Sequence, residues 1–87
     1  MKRDLVIRNA RGLHARAAAK FVKCVEQFDA EVVVTKGENE VSGISIMGLM
    51  MLAAATGSTI SVSASGPDAR KALAALTELV ENKFGEE

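Results

Sequence analysis

The chain has 87 residues, of which 48% are hydrophobic and 25% are charged, a composition typical of a folded domain and not of a disordered segment. Its formal net charge is zero, and it contains three Phe but no Trp or Tyr. Nucleic-acid binding through a basic surface or through stacked bases is therefore disfavoured. The single cysteine, Cys24, excludes an internal disulfide, and we expect neither a metal site nor a cofactor.

Nothing near the N-terminus resembles a secretory signal, because Met1-Lys2-Arg3-Asp4 leads into an alternating pattern and not into an apolar run. The apolar stretch at residues 44–55 is short and interrupted by glycine, so it is not expected to span a bilayer. The sequence therefore predicts one domain over residues 1–87, a cytoplasmic location, no membrane insertion and a monomer.

The N-terminal third predicts a strand followed by a helix. Residues 2–8 alternate between polar and apolar side chains, which indicates a strand, and residues 9–12 form a turn. Over residues 15–28 the apolar side chains recur at intervals of three and four positions. This spacing is typical of a helix with one buried face.

The middle of the chain predicts a hairpin and a short helix. The β-branched run at residues 31–36 indicates a second strand, and residues 36–39 form a turn into a third strand at residues 40–42. Ser45 is a favourable N-cap for a short helix at residues 46–52, although that segment contains a glycine.

The C-terminal third predicts a strand and a final helix. Residues 59–65 alternate strictly, which indicates a strand with one solvated face. Pro67 is expected at the first position of a helix whose wide apolar stripe extends from Ala69 to Phe84. The order β-α-β-β-α-β-α predicts an α+β fold with helices on one face of an antiparallel sheet.

The only histidine, His14, lies at the junction of the first strand and the first helix. A helix N-terminus offers unpaired N–H groups and a partial positive charge, which together favour an anion. Gly12 permits a tight turn, and Arg16 could pair with phosphate oxygens. A neutral imidazole has a free nitrogen that can attack phosphorus. These residues fit a phosphohistidine site, and they fit a capping or surface histidine without a function equally well.

Three separated motifs resemble HPr, the histidine-containing phosphocarrier family of the phosphoenolpyruvate-dependent phosphotransferase system. They are Gly12-Leu13-His14-Ala15-Arg16, Ser45-Ile46-Met47-Gly48-Leu49-Met50 and Ser63-Ala64-Ser65-Gly66. The resemblance extends from the first strand to the last helix. It implies the HPr-like open-faced β-sandwich, in which three helices cover one face of a four-stranded antiparallel sheet.

The resemblance also implies roles for individual residues. His14 would accept a phosphoryl group on its δ-nitrogen from Enzyme I, originally from phosphoenolpyruvate, and pass it to a IIA-type domain. Arg16 would neutralise the phosphate, so that the chain acts as a phosphoryl carrier and not as an enzyme. Ser45 would be the regulatory serine that HPr kinase/phosphorylase modifies. Its alternative role is that of a helix N-cap, and the two roles are compatible.

Partner docking is implied for three apolar residues of the short helix, Ile46, Met47 and Met50. Methionine suits such a surface because it repacks against different partners. Burial in the core is the alternative, and it is the expectation for Leu49 and Leu52. Lys20 and Lys23 could steer an acidic partner, or they could simply be solvated helix charges.

Ala17 departs from the family pattern, which usually has proline at this position. The Ala-Arg-Ala-Ala form resembles HPr-like proteins of mainly regulatory phosphotransferase chains, including the nitrogen-related branch. The alternative function is therefore a regulatory protein whose phosphorylation state controls partner binding. A small ligand- or RNA-binding module is a third possibility, which the neutral charge and the few aromatic residues disfavour.

Overall fold

Four strands and three helices follow one another in the predicted order. The computed structural model describes residues 1–86. The regular elements are β1 (Lys2–Val6), α1 (Ala15–Val25), β2 (Glu31–Lys36), β3 (Asn39–Ser42), α2 (Ile46–Met51), β4 (Thr59–Ser65) and α3 (Ala69–Glu81). A 3₁₀ turn at Lys83–Gly85 follows the last helix. Among the residues described, no helix is long and apolar enough to cross a membrane.

The strands form one antiparallel sheet in the order β1-β4-β2-β3. Val34 of β2 lies opposite Val62 of β4, and Leu5 of β1 lies opposite Ile60 of the same central strand. All four side chains are buried. Because side chains alternate along a strand, this register directs one set of apolar residues to a single face of the sheet.

The three helices cover that face and close one continuous core. Phe21 of α1, Leu49 of α2 and Leu76 of α3 are fully buried and belong to the same cluster as the inward strand residues. The opposite face carries small hydroxyl side chains of β4, of which Ser61 and Ser63 are half-buried and Ser65 is exposed. The predicted fold class and helix placement are therefore confirmed, as is the burial of Leu49 and Leu52.

Four helix boundaries differ from the predicted ones: the ends of α1, α2 and α3, and the start of α3. α1 ends at Val25, and the chain continues to Phe28 in single turns closed by bonds such as that from the Phe28 N–H to the Val25 carbonyl at 3.1 Å. α3 begins at Ala69, after Pro67, and the carboxylate of its N-cap residue Asp68 makes no cap bond but accepts the backbone N–H of Asp29 at 2.9 Å. Apolar spacing alone detects neither the short turns after α1 nor the contact between Asp29 and Asp68, which are 39 positions apart.

Phe84 lies beyond α3 instead of on it. Lys83, Phe84 and Gly85 have φ values of 58°, 55° and 76°, so three consecutive residues adopt the left-handed conformation. That conformation costs about 1–2 kcal/mol for a residue with a side chain. Burial of the Phe84 ring, which is 1% exposed, contributes a stabilisation of similar size, about 2–3 kcal/mol. The turn reverses the chain and directs its end back toward the N-terminus of α1.

Candidate functional site

A tight turn at residues 9–12 leads from β1 to the N-terminus of α1. The Gly12 N–H donates to the Asn9 carbonyl at 3.1 Å, and Gly12 has a φ of +67°. A Cβ atom at this position would lie 2.6 Å from the carbonyl oxygen of Ala54, so only glycine fits without rearrangement. The next residue, Leu13, is buried and donates its N–H to the same oxygen at 2.9 Å. These contacts fix the backbone that presents His14.

His14 is the N-cap residue of α1. Its backbone is extended, with φ −80° and ψ −176°, and its carbonyl accepts the first helical bond from the Ala18 N–H at 2.8 Å. Its side-chain Nδ1 accepts the backbone N–H of Arg16 at 3.2 Å. Because a backbone N–H can only donate, this contact places a lone pair on Nδ1. The proton of the neutral ring is therefore on Nε2.

The other ring nitrogen of His14 binds the end of the chain. Nε2 lies 2.7 Å from Oε2 of Glu86, and the two side chains are 18% and 17% exposed. This hydrogen bond lowers the pKa of the Glu86 carboxyl from its ordinary value of 4.5; partial desolvation opposes the shift, and Asn9 and Lys20 add to it. The carboxylate therefore remains charged and acts as an acceptor for the Nε2 proton.

Sequence reasoning missed Glu86. Its contact with His14 spans 72 positions in the chain and depends on the left-handed turn at Lys83–Gly85. Two of these three residues are not glycine, so no turn motif signals the reversal. Asn9 was also missed as a site residue, although it is a fully buried amide in the loop before His14.

Basic side chains line the solvent-exposed cleft next to the His14–Glu86 pair. A shallow cleft beside His14 is lined by Ala10, Arg11, Arg16, Lys20, Gly85 and Glu86. Arg16 is exposed, and Lys23 is exposed one helical turn beyond Lys20. The positive end of α1 and these cations favour an anion near Nδ1.

Lys20 already has an intramolecular partner. Its Nζ donates to the carbonyl oxygen of Phe84 at 2.6 Å, which ties α1 to the C-terminal turn. The ammonium group therefore has a structural contact in addition to any role in steering a partner. Lys23 is exposed, as it must be to attract an acidic partner, and that role stays a prediction.

Ser45 caps α2 as predicted. Its Oγ accepts the backbone N–H of Gly48 at 2.9 Å. A Cβ atom on Gly48 would lie 2.9 Å from that Oγ and 3.0 Å from Cβ of Val41, so the glycine allows α2 to pack closely on β3. Glycine has a low helix propensity, but at position 48 the close packing of α2 on β3 leaves little room for a side chain.

An exposed apolar surface surrounds Ser45 and continues along α2. Its large side chains and their exposed fractions are Ile44 60%, Ile46 40%, Met47 69%, Met50 40% and Met51 76%. The segment after α2 reaches the His14 loop through Ala54, which accepts the Leu13 N–H. The sequence-predicted residues Ile46, Met47 and Met50 are therefore available for contact, on an element joined to the loop that presents His14.

The predicted site residues thus fall into two connected groups. His14 and Arg16 share the N-terminus of α1, whereas Ser45 caps α2 and begins the apolar surface. Within residues 1–86, no three His, Cys, Asp or Glu side chains come together as they would to hold a metal ion. Cys24 is half-buried, and this burial raises the pKa of its thiol, so it is not an activated nucleophile.

A four-stranded sheet lies under three helices, and a histidine caps the first of them; comparison with known proteins identifies the family. The profile described as "PTS HPr component phosphorylation site" matches residues 1–82. This chain belongs to the HPr family of the phosphotransferase system.

Individual relatives match over nearly the whole length. The "Phosphocarrier protein HPr" of Neisseria meningitidis serogroup A is 50% identical over 86 residues, which cover 99% of this chain and 97% of the relative. The "Phosphocarrier protein NPr" of Shewanella violacea is 43% identical, with 99% and 94% covered. The crystal structure of HPr-C-His from Thermoanaerobacter tengcongensis superposes with a TM-score of 0.95 at 41% identity, covering 100% of this chain and 98% of that one.

Proposed function

We propose that this protein carries a phosphoryl group on Nδ1 of His14. Enzyme I, phosphorylated by phosphoenolpyruvate, would be the donor, and a IIA-type domain would be the acceptor. The observation that carries the proposal is the ring geometry: Nδ1 accepts a hydrogen bond at the helix N-terminus while Nε2 is held by Glu86. The nitrogen with the lone pair therefore faces the electropositive side of the site.

In the transfer step, the Nδ1 lone pair forms a bond to phosphorus as the bond between phosphorus and its donor on Enzyme I breaks. The proton on Nε2 stays on the ring, so no base is needed. As the new bond forms, Nδ1 gives up its hydrogen bond with the Arg16 N–H, and that N–H becomes a donor for a phosphoryl oxygen. Transfer to the IIA-type domain is the same displacement with His14 as the leaving group.

Catalysis of this exchange would consist mainly of positioning and neutralisation of charge. The N–H group of Arg16 precedes the first intrahelical bond of α1, and the Arg16 guanidinium is exposed beside it. These groups can face the phosphoryl oxygens without any rearrangement of the helix. The protein is consumed and regenerated with each transfer, and it is therefore a co-substrate of the relay instead of an enzyme.

The partners would dock on the exposed surface of Ile46, Met47 and Met50. This surface is small, which suits complexes that must separate after each transfer. Lys23, which is exposed on α1, would attract acidic partners. We expect the free carrier to be a cytoplasmic monomer, because it must meet several partners in turn through this one face.

Ser45 is our candidate for regulatory phosphorylation by an HPr kinase/phosphorylase. Its side chain caps α2 at the edge of the apolar surface, so a phosphate there would add negative charge to the docking face. The helix would tolerate the change, since an anion at a helix N-terminus is stabilised by the free N–H groups.

A mainly regulatory role is the alternative within the same family. It is favoured by Ala17 in place of the usual proline and by the similarity to a protein described as NPr. Under this alternative the phosphorylation state of His14 would control the binding of a target protein. Tests of binding before and after phosphorylation separate this role from phosphoryl transfer to a IIA-type domain.

The decisive experiment for the proposed function is incubation with Enzyme I and labelled phosphoenolpyruvate. We expect an acid-labile, base-stable phosphate on the protein and none on His14→Ala. The matched control is Ser65→Ala, which should be labelled at the wild-type rate because it removes an exposed hydroxyl of β4, away from α1 and α2. Absence of label, or label that persists in His14→Ala, would refute the proposal.

A further inference from the structure

Asn9 is a fully buried amide whose two N–H groups hold two different parts of the site. Nδ2 donates to the carbonyl of Gly12 at 2.7 Å and to Oε1 of Glu86 at 3.1 Å. Oδ1 has no hydrogen-bond partner among the described residues. The contacts of this amide within the site are therefore made by its NH₂ group alone.

The orientation of the amide follows from its neighbours. Rotation by 180° would place Oδ1 against a carbonyl oxygen and a carboxylate oxygen, which are both acceptors. The NH₂ group must therefore face Gly12 and Glu86. A residue of the same shape that lacks the NH₂ group, such as aspartate, could not make either bond.

Glu86 bridges Asn9 and His14 through its two oxygens. Oε1 accepts from Asn9, and Oε2 accepts from Nε2 of His14 at 2.7 Å. With both oxygens engaged, the carboxylate cannot rotate freely, and the imidazole ring is held between it and the Arg16 N–H. Asn9 therefore restricts the ring of His14 indirectly, through the carboxylate of Glu86.

The C-terminal turn delivers Glu86 to this position. The ring of Phe84 is 1% exposed in the core, and the carbonyl of the same residue accepts from Lys20 at 2.6 Å. These two anchors lie two residues before Glu86. They bring the carboxylate near His14, whereas the final orientation comes from Asn9.

We infer that Asn9 is a positioning residue for the phosphorylated histidine: it locks the Glu86 carboxylate against Nε2, which keeps the proton on Nε2 and the nucleophilic lone pair on Nδ1. This inference rests on the proposed function of His14. As the bond from Nδ1 to phosphorus forms, the ring gains positive charge, and the fixed carboxylate stabilises it. The same logic applies to a carboxylate that orients a histidine in a catalytic triad.

Asn9 could instead act only through Gly12, by holding the turn that presents His14. A double-mutant cycle separates these roles, because interaction between two residues appears as non-additivity. If Asn9 acts through Glu86, then Asn9→Ala has little further effect once Glu86 is replaced by alanine. If Asn9 acts only on the turn, its effect is the same in both backgrounds.

The first measurement is ¹⁵N NMR of the imidazole of His14 in the unphosphorylated protein, at a pH where the ring is neutral. Both Asn9→Ala and Glu86→Ala should increase the fraction of the tautomer with its proton on Nδ1. The matched controls are Asn39→Ala and Glu81→Ala, which remove an exposed amide and an exposed carboxylate elsewhere. The Glu86 side chain lies outside the hydrophobic core, so Glu86→Ala tests the tautomer even if Asn9→Ala does not fold. An unchanged tautomer in Glu86→Ala would overturn the inference.

The second measurement is the rate of phosphoryl acceptance from Enzyme I for the wild type, both single variants and the double variant. We expect each single variant to be slower by about fivefold, which corresponds to about 1 kcal/mol. The double variant should be no more than about twofold slower than Glu86→Ala. Equal effects of Asn9→Ala in both backgrounds would overturn the inference. Failure of every protein to accept phosphate would refute the proposed function instead, because the tautomer measurement does not depend on Enzyme I.

Discussion

His14 and Glu86 lie at opposite ends of the chain, yet Nε2 of the histidine is 2.7 Å from a carboxylate oxygen of the glutamate. The contact joins the loop after β1 to the turn after α3, and it leaves Nδ1 to accept the backbone N–H of Arg16. The environment of the single histidine is therefore asymmetric. One nitrogen is held by a negative group, and the other faces the positive end of a helix.

The contact between Glu86 and His14 should make stability depend on pH in a defined direction. The pKa of Glu86 is lowered in the folded state from 4.5, so its contribution to stability is complete above the unfolded value and is lost as the pH falls through the folded value. We expect the urea midpoint of the wild type to exceed that of Glu86→Gln at about pH 7 and to approach it at about pH 3. Glu81→Gln is the control for loss of one exposed carboxylate. A difference between wild type and Glu86→Gln that grows on acidification would contradict the assignment.

Gly12 should tolerate substitution less well than Gly37. Both have positive φ, 67° and 62°, but a Cβ on Gly37 meets nothing within 4 Å, whereas one on Gly12 meets Ala54 at 2.6 Å. Gly37→Ala should cost about 1 kcal/mol from backbone strain alone. Gly12→Ala should cost at least about 1 kcal/mol more because of the clash. Denaturant unfolding measures both values, and equal costs would show that the approach to Ala54 is unimportant.

Ser45→Ala should destabilise the fold by about 1 kcal/mol, because it removes the oxygen that accepts the Gly48 N–H. Ser45→Asp should retain most of this stability, since a carboxylate also caps a helix and favours its positive end. Ser65→Ala, at an exposed position of β4, is the matched control for loss of a hydroxyl. An effect of Ser45→Ala no larger than that of Ser65→Ala would argue against the cap.

Ala17→Pro should stiffen the His14 loop without preventing phosphorylation. Ala17 is the third residue of α1, and its N–H precedes the first intrahelical bond, so proline removes no helical hydrogen bond there. The stability change should be within about 1 kcal/mol. Amide exchange of residues 12–16 and the yield of phosphohistidine are the two readouts. Loss of phosphorylation in a folded Ala17→Pro variant would show that this position does more than set conformation.

Met47→Lys should impair partner recognition with little effect on stability. The side chain is 69% exposed, so its replacement removes few contacts within the protein. We expect the KM for phosphoryl transfer from Enzyme I to rise about tenfold or more, because a charge is placed in an apolar interface. Ala74→Lys, on the exposed face of α3, is the matched control. An unchanged KM would exclude Met47 from the docking surface.

The fold was predictable because nearly every element repeats a simple pattern. The alternation of residues 59–65 and the three- and four-residue spacing in α1 follow directly from strand and helix geometry. Ser45 was recognisable as a cap because the preference for serine at that position is local. His14 was recognisable because a strand, a turn and a helix are adjacent in sequence around it.

The remaining parts of the site depend on contacts that have no local signal. The position of Glu86 requires a left-handed turn that contains Lys83 and Phe84, and burial of the Phe84 ring in the core stabilises this turn. Likewise, the pairing of Lys20 with the Phe84 carbonyl spans 64 positions. A sequence pattern predicts which face of a helix is apolar, but not which distant carbonyl a lysine reaches.

The central claim is that Nδ1 of His14 carries the phosphoryl group, and ¹⁵N–³¹P NMR of the phosphorylated protein tests it most directly. With ¹⁵N in the imidazole ring, we expect the direct nitrogen–phosphorus coupling at Nδ1, with the proton retained on Nε2. A direct coupling at Nε2, or phosphorus attached to a residue other than His14, would contradict the account.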